Sequence, residues 1–287
     1  MAWTELHIAT SAELANDLSD QLSELGAVAV TFQDGGDQPI FEPTPETPRL
    51  WHKTIVVALF ERDHSMDSVF EFLKGKYPFE QKEIEDEDWE RRCLDSFQPL
   101  SFGKRLWICP SWHTPPDKGA VNVILDPGLA FGTGTHPTTS LCLEWLDANI
   151  NDQNLILDYG CGSGILAISA LKLGAKKALC VDNDSQALES TRENAERNSI
   201  SSAQLQTFLP DQLDKTEADV LLANILAQPL IDLAPTFNIL TKKWCKIVLS
   251  GILCDQVERV MNAYKPWFEM KEPIYKDGWA LLEGIKT

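Results

Sequence analysis

The chain has 287 residues, 44% hydrophobic and 24% charged, which is the composition of a globular protein with room for two domains. Its formal net charge of −18 makes nucleic acid an unexpected direct partner, because phosphate contacts need lysine and arginine. We expect no signal peptide, because no basic region followed by an apolar stretch opens the sequence. The sequence also contains no apolar run near the roughly 20 residues that cross a bilayer and no C-x-x-C pair among its seven cysteines. We therefore predict a cytoplasmic protein that uses neither a membrane nor a metal.

The acidic charge is concentrated in the first third of the chain. Residues 1–100 contain 21 acidic and 8 basic side chains, whereas residues 101–287 contain 22 and 17. An acidic surface attracts basic partners through long-range electrostatics, although the same charge is also explained by solubility alone.

The first 86 residues alternate between strand and helix patterns. The predicted elements are a strand at Trp3–Ala9, a helix at Ser11–Leu25, strands at Ala27–Phe32 and Ile55–Phe60, a helix at Met66–Leu73 and a strand at Phe79–Ile84, with a loop over Asp34–Pro48. This β-α-β-β-α-β order is typical of a small ferredoxin-like α+β domain. Residues 87–101 are interpreted as a linker helix and connection; the helix opens in the acidic run at 85–90, and the acids before Arg91 and Arg92 suit its dipole.

The remainder, 102–287, begins with a predicted strand pair and then repeats a strand–helix pattern. The strand pair is Arg105–Cys109 and Val121–Leu125; helices are expected near 137–148, 163–173, 184–198, 228–239 and 253–264, and strands near 154–158, 178–182, 203–208, 219–223 and 246–250. Strands alternating with helices imply a doubly wound α/β sheet, and Phe268–Pro273 and Trp279–Gly284 are expected to close it with antiparallel pairing.

A glycine-rich turn follows a short apolar strand at residues 155–164, Leu-Ile-Leu-Asp-Tyr-Gly-Cys-Gly-Ser-Gly. Such a turn brings backbone close to a ligand and presents helix amides to it. The G-x-G-x-G spacing disfavours a nicotinamide dehydrogenase, because Ile165 occupies the position of the last dinucleotide glycine. The next strand ends in Asp182, where a carboxylate can accept hydrogen bonds from both hydroxyls of a ribose. The alternative is an ordinary strand–helix turn followed by a solvated aspartate.

Two further segments are expected at the same edge of the sheet, because ligands of open α/β sheets lie beyond the carboxyl ends of the strands. The loop Asp126–Ser140 enters a helix at Pro137 and places Thr139 in its first turn. The strand 219–223 ends at Asn224, whose amide can hold an amine or the amino-acid end of a cofactor. Capping and turn formation are the structural alternatives for these residues, and His136 is explained better as a helix cap than as a general base.

Together these segments resemble a known family. Asp158-Tyr-Gly-Cys-Gly-Ser-Gly looks like the first motif of S-adenosylmethionine-dependent methyltransferases with the seven-stranded fold. The loop from Leu125 to Thr139 and the tetrad Asn224-Ile-Leu-Ala are more specific, and they resemble the bacterial methyltransferases of the eleventh large-subunit ribosomal protein, the PrmA family. The likeness covers nearly the whole chain.

The resemblance implies a Rossmann-like, seven-stranded methyltransferase domain over 102–287 and a ferredoxin-like domain over 1–86 that recognises a basic ribosomal protein. It implies N-methylation of amines, on lysine side chains and the N-terminus of that substrate. The residues implied to bind S-adenosylmethionine are Thr139, Gly160, Gly162, Asp182 and Asn224. Asn224 is the candidate nearest the methyl group, and the pattern assigns no general base.

Two alternatives stay open at this point. Methyltransferases that modify amides or bases commonly carry Asn-Pro-Pro-Tyr at this site, whereas here Ile225, Leu226 and Ala227 follow Asn224 and favour an sp³ amine. A non-catalytic module that binds the cofactor or assists ribosome assembly is the alternative from another functional class.

Overall fold

The computed structural model describes residues 3–36, 50–84, 97–126, 134–152, 154–214 and 216–287. The chain separates into two units, residues 1–92 and residues 93–287. The predicted helix that opens the linker and most of the predicted loop at 34–48 lie outside the described residues, as does 127–133 of the loop before Pro137.

The first unit is a four-stranded antiparallel sheet with two helices. Its elements are β1 (Trp3–Ser11), α1 (Ala12–Glu24), β2 (Ala29–Asp34), β3 (Lys53–Glu61), α2 (Asp67–Leu73) and β4 (Phe79–Ile84). The strand order is β2-β3-β1-β4, and every neighbouring pair is antiparallel. The predicted β-α-β-β-α-β order is confirmed, and this arrangement is the split βαβ pattern of ferredoxin-like domains.

Strand alternation and helical periodicity build the core of this unit. Leu6 and Ile8 of β1 lie opposite Ala58 and Val56 of β3, and all four side chains are buried. Leu18 and its helical neighbours on α1 pack onto the same sheet face.

The second unit contains a large sheet flanked by helices. Its elements are β5 (Leu100–Phe102), β6 (Leu106–Cys109), β7 (Val121–Ile124), α3 (Pro137–Asn149), β8 (Leu155–Tyr159), α4 (Ile165–Lys172), β9 (Lys177–Val181), α5 (Ser185–Arg197), β10 (Leu205–Phe208), β11 (Ala218–Asn224), α6 (Ala227–Leu240), β12 (Thr241–Leu253), α7 (Val257–Tyr264), β13 (Phe268–Met270), β14 (Ile274–Lys276) and β15 (Trp279–Lys286).

The large sheet has the order β10-β9-β8-β11-β12-β15-β13, with β14 beside β15. Strands β8 to β12 are parallel, and β15 runs antiparallel to both β12 and β13. The chain adds β9 and β10 on one side of β8, and it then continues with β11 and β12 on the other side. The topological switch point therefore lies between β8 and β11. The predicted doubly wound sheet with an antiparallel end is confirmed.

Successive side chains of the central strands enter different cores. On β8, Ile156 packs in the core that α3 and α4 cover, whereas Leu157 packs in the core that α6 and α7 cover. Both faces of the sheet are thus buried, which explains why its strands are almost continuously apolar. No helix among the described residues is both long and apolar enough to cross a bilayer.

A small sheet of β5, β6 and β7 precedes α3 and is fastened to it. The Asp147 carboxylate near the end of α3 accepts hydrogen bonds from the backbone N–H of Lys104 at 2.7 Å and from Nε of Arg105 at 3.2 Å. The Arg105 guanidinium also donates to the backbone carbonyl of Asp147. Thr139 lies in the first turn of α3, so this contact anchors the opposite end of the helix that carries Thr139.

We expect Asp147→Ala to lower the free energy of unfolding by about 2–3 kcal/mol, since it removes a buried carboxylate that accepts from a backbone N–H and from the Arg105 guanidinium. Urea denaturation measures the change. Asp152→Ala removes an exposed acid just beyond the same helix and serves as the control. Equal effects of the two substitutions would show that the Asp147 contact contributes little.

Candidate functional site

The five residues singled out from the sequence line one cavity. It has a volume of about 230 Å³ and lies at the carboxyl ends of β8, β9 and β11, beside the switch point. The described residues that line it are Thr139, Gly160, Cys161, Gly162, Ile165, Leu166, Asp182, Asn183, Asn224 and Ile225. The fold therefore brings together segments that are up to 85 residues apart in the sequence.

Neighbouring side chains pack closely against the glycine-rich turn between β8 and α4. Gly160 and Gly164 both have φ near +77°, in the left-handed region. A Cβ on Gly160 would collide with the side chain of Ile225, and one on Gly164 would lie 2.8 Å from Cγ2 of Thr191. Glycine is thus required here both by backbone conformation and by close packing.

Asp182 orients this turn from the end of β9. One carboxylate oxygen accepts from the N–H of Gly162 at 3.0 Å, and the other accepts from the N–H of Asp184 at 3.0 Å. A carboxylate offers about four acceptor positions, so these two bonds fix its direction and leave acceptor capacity for a ligand.

Asn224 and Thr139 form the opposite side of the cavity. Nδ2 of Asn224, at the end of β11, donates to Oγ1 of Thr139 in the first turn of α3 at 3.3 Å. Thr139 is buried, whereas Asn224 is partly exposed. The bond uses the amide nitrogen and thereby fixes the direction of the amide oxygen.

His136 caps the helix that carries Thr139. Its Nδ1 accepts from the backbone N–H of Thr138 at 3.4 Å, and its ring packs edge-on against Trp279 with centroids 4.9 Å apart. Burial lowers the pKa of His136, which favours the neutral ring that can act as an acceptor. The expected helix-capping role is confirmed.

Comparison with known proteins adds independent evidence. The family model described as ribosomal protein L11 methyltransferase (PrmA) matches residues 2–287. The chain belongs to this family. A ribosomal protein L11 methyltransferase of Shewanella piezotolerans is 52% identical over 294 residues and covers 100% of both chains, and one of Pseudomonas putida is 51% identical over 289 residues and covers 99% of both. The crystal structure of a ribosomal protein L11 methylase from Lactobacillus delbrueckii subsp. bulgaricus aligns with a TM-score of 0.61 and 32% identity, covering 67% of this chain and all of that one.

In this PrmA family member, a buried carboxyl group links β8 to the helix α4 that follows the glycine turn. One oxygen of Asp158, on β8, accepts from the backbone N–H of Ala167 in α4 at 3.0 Å. The other is buried and has no hydrogen-bond partner among the described residues. Burial raises the pKa of Asp158 from its ordinary value of 3.8 to about 7.

Other contributors to the site were missed at the level of sequence. Thr191 and Asn194 contact the glycine turn by hydrogen bonds to its carbonyl groups, and the packing of Ile225 on Gly160 was likewise not predicted. An aliphatic residue after a strand and polar residues within a helix are common, so no sequence pattern distinguished them.

We expect the raised pKa of Asp158 to appear in the pH dependence of stability. The folded chain holds this proton up to about pH 7, whereas the unfolded carboxyl releases it near its ordinary value of 3.8. The contribution to stability is therefore complete in acid and is lost as the pH rises from about 4 to about 7. Asp158→Asn has no such titration, so its Tm relative to that of the parent chain should rise across this window.

Scanning calorimetry at several pH values measures that difference, and Asp152→Asn provides an exposed control. A Tm difference between Asp158→Asn and the parent chain that stays constant with pH would contradict the raised pKa.

Proposed function

We propose that this protein transfers methyl groups from S-adenosylmethionine to amines of the L11 protein of the large ribosomal subunit, the substrate that its relatives' names state. The observation that carries the proposal is the convergence of the five family-motif residues on one cavity at the switch point of the sheet. The reaction takes place in the cytoplasm, and it involves no nucleic acid, membrane or metal.

The residues around the cavity fit this cofactor. The glycine turn lines the cavity and leads into the N-terminus of α4. Gly160 and Gly162 bring backbone next to the cofactor. Asp182 has acceptor capacity for both ribose hydroxyls, while Thr139 and Asn224 hold the amino-acid end, with Asn224 nearest the methyl group.

Catalysis rests mainly on positioning. The bound cofactor supplies an electrophilic methyl group on a sulfonium centre. Among the described residues that line the cavity, the ionisable side chains are Cys161 and Asp182, and none is a histidine or a lysine. The protein holds the attacking nitrogen in line with the methyl group, which converts an encounter into a unimolecular step.

The substrate amine must lose its proton before it attacks. A lysine with a pKa of about 10.4 is about 3.4 units above neutral pH, which corresponds to roughly 4.6 kcal/mol. Ile165, Leu166 and Ile225 give the cavity an apolar wall, and an apolar surrounding lowers the pKa of an entering ammonium group. The proton then passes to water.

The residues after Asn224 support an aliphatic amine as the acceptor. Ala227, the buried first residue of α6, occupies the position where the aromatic side chain of Asn-Pro-Pro-Tyr stacks on a planar group in amide- and base-directed enzymes. An aliphatic wall suits lysine side chains and an N-terminal amine.

Substrate recognition is assigned to residues 1–86, with 87–101 as the linker and 102–287 as the catalytic domain. The excess of acidic side chains in the first 100 residues supports this division, since L11 as a ribosomal protein is expected to be basic. Incubation of purified L11 with this protein and S-adenosylmethionine, followed by intact mass measurement, tests the whole proposal. Mass increments of one methyl group each support it, and an unchanged substrate mass would overturn it.

We expect Asp182→Ala to weaken cofactor binding by about 2–4 kcal/mol, because two hydroxyls lose a charged acceptor. Asn224→Ala should lower kcat at saturating cofactor more than Asp182→Ala does. Titration calorimetry and steady-state kinetics separate these effects, with Glu193→Ala on the exposed face of α5 as the control. Unchanged affinity in Asp182→Ala would contradict the assignment.

The acidic surface should accelerate encounter with the substrate. Glu80 and Glu83 are exposed on β4, and replacing both with glutamine should lower kcat/KM for L11 about three- to tenfold at low salt and flatten its salt dependence. Their kcat and cofactor affinity should stay unchanged. The matched pair Glu189→Gln and Glu193→Gln removes two exposed charges from α5. Equal losses in both double variants would show that the first unit has no special role in steering.

A further inference from the structure

One face of α5 carries buried polar side chains that neither the motifs nor the cavity include. Thr191 and Asn194 lie on the helix, and Asn198 follows at its end; their exposed fractions are 0%, 7% and 5%. The spacing of three and then four residues places them on one side of the helix. Burying polar groups costs free energy unless they are hydrogen-bonded, so their partners reveal what the face does.

Two of these side chains hold the glycine turn. Oγ1 of Thr191 donates to the carbonyl of Gly162 at 2.9 Å, and Nδ2 of Asn194 donates to the carbonyl of Ser163 at 2.9 Å. In a trans peptide the carbonyl and the following N–H point in opposite directions. Holding these carbonyls toward α5 therefore sets the direction of the N–H groups of Ser163 and Gly164.

The third side chain holds the strand that precedes the threonine-bearing loop. Oδ1 of Asn198 accepts from the N–H of Ile124, and its Nδ2 donates to the carbonyl of Ile124, both at 2.7 Å. Arg197 adds an ion pair with Asp126 at 3.2 Å. The same helix thus fixes both the glycine turn and the end of β7.

We infer that Thr191 and Asn194 are positioning residues for the methyl donor, acting through the peptide groups of Gly162 and Ser163. The inference rests on the proposed function, because it takes the cavity as the binding site of S-adenosylmethionine. A turn with three glycines at positive φ has many accessible conformations when unrestrained. The two hydrogen bonds select one of these before the cofactor arrives, so less conformational entropy is lost on binding.

The test compares cofactor binding in Thr191→Val and Thr191→Ser, measured by calorimetry with S-adenosylhomocysteine and no protein substrate. Valine keeps the shape that packs on Gly164 but removes the donor, and the Kd should rise about tenfold. Serine keeps the donor and should restore the Kd to within about twofold of the parent value. With L11 present, Thr191→Val should raise KM for S-adenosylmethionine while kcat at saturation stays near that of the parent.

Asn194→Leu removes the second donor and gives the same expected result through a different residue. Glu193→Gln, on the exposed face of the helix, should bind like the parent chain. If the parent chain itself fails to bind, the proposed function is wrong. The positioning role is overturned if the parent binds and both Thr191→Val and Asn194→Leu have the same Kd as the parent chain. It is also overturned if Thr191→Ser raises the Kd as much as Thr191→Val does.

Discussion

The close approach of three elements around residues 160–164 is the constraint on which the rest of the second unit depends. The side chain of Ile225 occupies the space where a Cβ on Gly160 would lie, and Thr191 occupies the corresponding space at Gly164. Glycine at these positions lets Ile225, directly after β11, and Thr191 of α5 pack against the turn from two sides. Asn224 ends β11, and Asp182 lies between β9 and α5. The close packing therefore holds both residues at the same cavity.

The cavity is ordered by hydrogen bonds that join side chains to backbone groups. Asp182 accepts from two backbone N–H groups, Asp158 accepts from a third, and the donors of α5 bind backbone carbonyls. Such bonds are made before any ligand arrives, and they need no reorganisation during a reaction. They suit methyl transfer, in which alignment contributes more than proton transfer by the protein.

Sequence reasoning was successful where a local pattern has a single physical meaning. Apolar strands ending in Asp182 and Asn224 predicted both the topology and the shared edge, because the carboxyl ends of parallel strands meet there. It missed strand β5, since three residues with two exposed side chains carry no periodicity, and it began α7 four residues early because a 3₁₀ turn at Cys254–Gln256 precedes that helix. Thr191 and Asn194 were missed for another reason: their partners are carbonyl groups 29 and 31 residues away, which no local pattern encodes.

Under the proposed function, the distribution of charge resolves a conflict that arises when the methylated protein is basic. Acidic groups attract such a substrate, but close to the reacting amine they would stabilise its ammonium form and raise its pKa. Screening limits exposed charges to about 8–10 Å at physiological ionic strength. Of the described residues that line the cavity, one is a carboxylate, Asp182, and backbone N–H groups already bind both of its oxygens. In the proposed function, the excess negative charge of residues 1–100 therefore attracts the substrate protein, while the nitrogen that reacts meets the apolar wall of the cavity.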